Sequence, residues 1–409
     1  MDIWKFNKGE WAEAYVFLKV LGDGRIYGAD AQLHKDPMTF MDIVNIIRDE
    51  PDRYLRFERM MKNEMDYIEA YERDAVFKIV TAEELRENAA RLYKEIMALK
   101  GKGAGSIPDA EAYLKSLRLS GPKARISPAA SERYGSKTDL IITSLSSTDH
   151  TRTTEGFSIK SHLGAAATLF NSSSTSGFLY KIKGCDDYGL HKINANSSSI
   201  SEALRIIRDK YELEYIGCRN EVFEDNLSLV DSRMDEIMQC GVLVSLGYYG
   251  DKNAAQLTKV CDRLAEINPI GHRRPKDFYV SKIKEFLYDT FGGMTATKPW
   301  DGRKLLAGGY LDVASDGGIL YYRAVSDDIF ESYLLKSTCF DSPDRGCNSS
   351  ISIAVGKAVL ENRVPTPEEI LAASQTKSGS TKAKKGDWGY VYKDGEEYRI
   401  ALNFQVRFK

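Results

Sequence analysis

No two cysteines in this chain stand in a CxxC spacing; the six (Cys185, Cys218, Cys240, Cys261, Cys339 and Cys347) are scattered. The five histidines are equally dispersed, so nothing resembles a structural zinc ligand set. Free thiols in a reducing cytoplasm are the expectation. There is no apolar run of about 18 residues to cross a membrane, and the start, MDIWKFNKGEW, carries no apolar signal-peptide core. A net charge of −2 does not advertise nucleic-acid binding, but it leaves room for local positive zones. No internal repeat is visible.

What remains is an ordinary globular composition, 43% hydrophobic and 28% charged over 409 residues. That is long enough for two or three domains or one elaborated core. NKGEWAEAYVFLKVLGDG reads as a helix capped by Asn7 and closed by Gly22 and Gly24. Residues 40–100 show helical apolar spacing and high charge, with Thr81 and Glu84 in capping-box relation. KGKGAGSIP (100–108) reads as a flexible linker; Lys102 is followed by Gly103, so it does not satisfy a P-loop.

From about 122 the period changes. TDLIIT (138–143), GFSIKS (156–161) and GFLYKIKG (177–184) read as adjacent short strands between polar turns. Residues 199–290 return to helical spacing. In the last hundred residues GILYYRAV reads as a strand, DDIFESYLLKST and VPTPEEILAAS as helices, and the C-terminal block as a hairpin at Asp394-Gly395. The expectation is an α+β protein.

Strand alternation puts Asp139 on one face of TDLIIT, and Ser158 with Lys160 on one face of GFSIKS. If the apolar sides of the two strands meet, Asp139 and Lys160 share a face. A carboxylate beside a lysine suits metal-dependent phosphodiester hydrolysis, and equally an ordinary surface ion pair. On the first helix Glu10 falls where an N-cap partner belongs. Glu13 instead heads the stripe Glu13, Val16, Phe17, Val20, where an acid needs a partner: a buried cation, or a metal held together with Asp139.

NKGEWAEAYVFLKVLGDG, TDLIIT, GFSIKSHLGAAATLFNSSSTSGFLYKI and GDWGYVYKDGEEYRIALNFQVRFK, in this order, resemble the HpaII-type restriction endonucleases. The resemblance is weaker over 35–120 and 190–300. It implies a type II enzyme cutting duplex DNA at CCGG or a related short palindrome with Mg2+. It also implies a PD-(D/E)xK nuclease core, a mixed sheet flanked by helices, here with large helical additions. A companion methyltransferase protecting the same site, and a homodimer on palindromic DNA, come with it. Asp139 matches the first acid of the motif, Lys160 the lysine, and Gly9 to Glu13 the helix element. Ser158 departs from the pattern by standing where an acid belongs. The reading is that Glu13 and Asp139 bind the metal, Lys160 serves the attacking water, and Ser158 donates to a bound water or phosphate. Glu155 is a second candidate for the missing acid, lying before the strand and solvated.

The corresponding partition is 1–34 for the N-terminal helix, 35–121 for a helical region and linker, and 122–190 for the core strands. Residues 191–300 form a helical DNA-binding or structural region, and 301–409 a mixed α/β region. DNA contacts are expected from Ser161, Asn171, Ser172, Arg273, Arg274 and Lys384; the segment 377–409 holds eight cations against four acids. The alternatives are a structure-directed DNA-repair nuclease and a DNA-binding protein that does not cut.

Overall fold

A computed structural model describes residues 3–409 except 63–64, 101–102, 136, 149, 165, 172–174, 196–199, 251–253, 303–307, 325–326 and 343–387. The chain divides into two compact units. The first comprises Met1–Ala167, Lys304–Leu334 and Lys409; the second comprises Thr168–Arg303 and Leu335–Phe408.

The chain opens with α1 (Lys8–Asp23), then runs through β1 (Arg25–Ala29), β2 (Lys35–Glu50), β3 (Arg53–Lys62), β4 (Met65–Glu72) and β5 (Ala75–Thr81). Next come α2 (Ala82–Ala98), α3 (Pro108–Ser116), α4 (Pro128–Tyr134), β6 (Leu140–Ser146) and β7 (Arg152–Ser161). The second unit takes up β8 (Thr168–Phe170), β9 (Gly177–Lys183), α5 (Asp187–Ala195), α6 (Ile200–Lys210) and β10 (Glu212–Cys218). It continues with α7 (Glu221–Val230), α8 (Met234–Ser245), α9 (Leu257–Ile267) and α10 (Pro275–Phe291). β11 (Gly309–Val313) and β12 (Ile319–Arg323) return to the first unit, and α11 (Asp327–Ser337) begins there and ends in the second. β13 (Thr338–Asp341), β14 (Val391–Asp394), β15 (Glu397–Asn403) and β16 (Gln405–Phe408) complete the described elements.

The chain is a mixed α+β protein. In the first unit one sheet runs β1-β12-β11-β7-β6-β2-β3-β4-β5, and β1 also pairs with β2. The six strands β1, β12, β11, β7, β6 and β2 therefore form a barrel-like ring, from which β3, β4 and β5 extend as an antiparallel arm. α1 packs on α2 and on β1, β2 and β7. Between Trp11 and Gly22 every residue of α1 is buried except Glu13 and Lys19. The helix starts as its sequence predicts. The Asn7 side chain accepts the Glu10 N–H at 3.0 Å, Glu10 returns the bond to the Asn7 N–H, and Gly24 closes the end at φ 72°. α2 buries Ala82, Leu85, Ala89, Leu92 and Ile96, a helical stripe behind a Thr81 cap.

Residues 35–81 correct the helical expectation: they are four strands. Burial on β3 falls on Leu55 and Phe57 and on β4 on Ile68 and Ala70, a period of two. β2 buries Met41, Ile43 and Asn45, then changes phase across a bulge to Ile46, Arg48 and Glu50. The β-branched and aromatic content of FMDIVNII and VFKIVT suits strands, although the same apolar residues also fit helical spacing. The linker reading of 100–108 changes as well. Gly105 exchanges backbone hydrogen bonds with Phe6 at 2.8 and 3.1 Å, and its carbonyl accepts Trp11 Nε1–H.

The second unit holds the sheets β10-β9-β15-β14 and β13-β16-β8. Its core includes Phe170, Phe178, Phe223 and Phe404, the last stacked on Phe178 at 5.7 Å. GFLYKIKG (β9) pairs with β10 and β15, not with β7, so the three short strands read as neighbours fall into two sheets. The C-terminal hairpin forms as expected, with Gly395 at φ 62°. VPTPEEILAAS lies outside the described residues, as does Cys347, and Cys185, Cys218, Cys240 and Cys261 are free thiols. Among the described residues no helix is long and apolar enough to cross a membrane.

Candidate active site

β6 and β7 pair antiparallel with Leu140 opposite Phe157, and the Asp139 N–H extends the ladder to the Phe157 carbonyl at 2.8 Å. Asp139 thus stands across from Ser158, on the side that also carries Lys160. Phe157 and Ile159 turn the other way and pack with the α1 core. The carboxylate of Asp139 is locked by its neighbour strand: Oδ2 accepts the Ile159 N–H at 2.8 Å and the Ser158 hydroxyl at 3.0 Å. The Ser158 hydroxyl thus donates its hydrogen bond to the acid itself.

Glu13 reaches the same place from α1. Its Oε2 accepts the Ala124 N–H at 3.2 Å. That amide is presented by a loop anchored to β2. Arg48, buried with Glu50 in a 2.9 Å ion pair, donates to the carbonyls of Gly121 and Lys123. Each acid keeps one oxygen without a protein donor among the described residues, Oε1 of Glu13 and Oδ1 of Asp139.

The two acids perturb each other. Burial chiefly, and Asp139 next, push the Glu13 carboxyl up to about 8, against the pull of Lys123, the Ala124 N–H and Arg48. Burial also raises Asp139, offset in part by the Ile159 N–H, Lys160, Ser158 and Lys123. Burial lowers Lys160, while Asp139 and Glu13 favour its charged form. Its ammonium lies 4.9 Å from the centre of the Tyr310 ring on β11, which pairs parallel with β7 and sets Tyr310 beside Ser158. Lys137, pushed down to about 8 by burial and by Lys160, completes the cluster.

Two carboxylates with a free oxygen each, flanked by lysines, suit a hard divalent cation that retains waters and takes further oxygens from a phosphate. Among the described residues no set of three or more His, Cys, Asp or Glu side chains is poised for a metal. Glu155 does not supply a third. It lies within β7 and pairs with Arg323 at 2.8 Å, which corrects its reading as a solvated residue before the strand.

Lys123, Lys137 and Tyr310 were not singled out from sequence. Lys137 lies in the turn just before β6, two residues ahead of Asp139. Of the expected DNA contacts, Ser161 is buried with its hydroxyl accepting the Leu163 N–H, so it does not face solvent. In the second unit Asn171 and Arg273 are exposed, and Arg274 is exposed but paired with Asp277 at 2.6 Å. Ser172 and Lys384 lie outside the described residues. Of the C-terminal cations, Arg399 pairs with Asp394 and Glu397, Arg407 with Asp341, and Lys393 with Asp187, which narrows that positive zone.

No solved structure matches the chain. The sequence profile of the HpaII restriction endonuclease family matches residues 7–350. The type II restriction enzyme HpaII of Haemophilus parainfluenzae is 30% identical over 404 residues, covering 98% of each chain. On this match across nearly its whole length, the chain belongs to the HpaII restriction endonuclease family and is a type II restriction endonuclease, an enzyme whose substrate is duplex DNA.

Proposed function

We propose that the chain hydrolyses phosphodiester bonds at CCGG or a related short palindrome, with Mg2+ held by Glu13 and Asp139. The observation that carries the reading is the joint presence of Asp139, Ser158 and Lys160 on paired strands β6 and β7 with Glu13 reaching them from α1. When bound, the metal would offset charge on the phosphate and acidify an attacking water. Ser158 and the Ile159 N–H hold Asp139 in one orientation, leaving Oδ1 for the ion. The Ala124 N–H does the same for Glu13. Lys160 orients the water and stabilises developing negative charge, with the Tyr310 ring fixing its ammonium. In this reading Glu13 carries the charge that Ser158 does not.

The same arrangement supports a PD-(D/E)xK core made of α1, the β6–β7 hairpin and the strands around it. A companion methyltransferase would protect the same site, and a homodimer would match the symmetry of a palindrome. Plasmid incubated with Mg2+ tests the function. Discrete fragments whose ends map to one short palindrome are expected. Cutting confined to branched junctions would replace this reading with a repair nuclease, and binding without cutting would replace it with a DNA-binding role.

A further inference from the structure

The face of β7 that carries Ser158 and Lys160 does not end with them. The His162 N–H continues the ladder to the Val313 carbonyl at 2.9 Å, so His162 is the next residue on that face. On neighbouring β11 the register sets Asp312 beside Lys160. His162 Nε2 lies 3.1 Å from Asp312 Oδ1, and the same oxygen accepts the Tyr333 hydroxyl at 2.8 Å. Tyr333 is buried and stacks on Tyr322 at 3.8 Å, so it is a rigid donor. A fixed tyrosine holds a carboxylate, and the carboxylate turns the imidazole.

This orientation has a chemical consequence. With Nε2 committed to Asp312, Nδ1 is left as the outer edge, with no partner among the described residues, and the side chain keeps 25% of its exposure. The hydrogen bond to Asp312 also raises the imidazole above its ordinary range, favouring the cation. A carboxylate-backed imidazolium with a free N–H is suited to a phosphate oxygen. Side chains two residues apart on a strand stand about 6.6 Å apart, close to one phosphate-to-phosphate step of a nucleic-acid strand.

We infer that His162 is a further DNA-binding residue, whose Nδ1–H, oriented by Asp312 and Tyr333, donates to the backbone phosphate next to the one held at Lys160. The inference rests on the proposed placement of the reacting phosphate at Asp139 and Lys160. Asp312 is a positioning residue that acts through His162.

The test is binding of the full chain to a random-sequence duplex oligonucleotide in EDTA near pH 6, across a salt series. Each phosphate contact contributes about 0.9 to the slope of log affinity against log salt. His162→Ala should flatten the slope by about that amount, His162→Arg should restore it, and Asp312→Asn should flatten it in part. Thermal unfolding of each variant identifies loss of fold, and His162→Gln, which keeps the bulk without the charge, takes the place of His162→Ala in both comparisons if His162→Ala does not fold. An unchanged slope in folded His162→Ala, or an Arg variant no steeper than Ala, overturns the inference. Because the binding needs neither metal nor cutting, it separates from the active-site reading. Wild-type cutting by Lys160→Ala together with a flattened slope in His162→Ala would sink the site while leaving the DNA contact of His162 standing.

Discussion

Replacing Glu13 by glutamine keeps the side chain's shape and removes its charge, and the structure sets the size and sign of the effect. The folded-state carboxyl is pushed up to about 8 from an ordinary value of 4.5, by burial first and by Asp139 second. Between those pH values the folded chain binds a proton that the unfolded chain has released. Its contribution to stability is therefore fully present below about pH 4.5 and is lost as pH rises through about 8. A shift of this size corresponds to at most about 5 kcal/mol, and access of water to a half-buried carboxyl reduces that to about 2 kcal/mol. Urea unfolding of the metal-free protein at pH 5 and pH 9 measures it. Wild type should lose about 2 kcal/mol more between the two pH values than Glu13→Gln. Mg2+ should recover that loss at pH 9 in wild type and recover little in the variant, whose cutting should fall by at least about 100-fold. Equal pH dependence in the two proteins, or equal stabilisation by Mg2+, would refute the placement of Glu13 beside Asp139 at a metal.

Other substitutions probe the supports of the site. Ser158→Ala removes one of two donors to Asp139 Oδ2, so metal-dependent cutting should weaken by about 10-fold, in line with about 1.5 kcal/mol for a hydrogen bond to a charged group; an unchanged Mg2+ dependence in a cleavage titration would contradict this. A Cβ added at Gly156 would stand 2.3 Å from Thr138 Oγ1 and 2.9 Å from Tyr134 Cβ. Gly156→Ala should therefore cost about 1–3 kcal/mol by overpacking and displace Asp139, the next residue after Thr138, which a denaturation curve and a cleavage rate together would reveal. Arg48→Ala leaves Glu50 buried without its cation and should cost about 3–5 kcal/mol, with faster amide exchange at Ala124 as the loop loses its anchor.

The helix cap and the Asp139–Lys160 pairing were readable because both obey local rules. A capping box is written in four residues, and a strand hairpin with period two assigns faces without knowledge of the rest of the fold. Glu13 was readable for a related reason, as an acid in an otherwise apolar stripe. The strands of residues 35–81 were not, because Ile43, Ile46 and Ile47 fit helical spacing as well as strand alternation, and the bulge after Ile43 breaks the period of two. Only pairing with β1, β6 and β3 decides the case. Tyr310 and Asp312 reach β7 through a parallel pairing that joins segments some 150 residues apart, which no local pattern announces. Lys123 depends on Arg48, a buried arginine whose value lies in the loop carbonyls it holds.

The most direct test of the account is single-turnover cleavage by Lys160→Ala with saturating Mg2+ on a plasmid that wild type cuts at one palindrome. The account predicts that Lys160→Ala folds and still binds duplex DNA, with the loss of about one phosphate contact, while its cleavage rate at saturating enzyme falls by at least about 100-fold. Cleavage at the wild-type rate would show that the chemistry lies elsewhere in the chain.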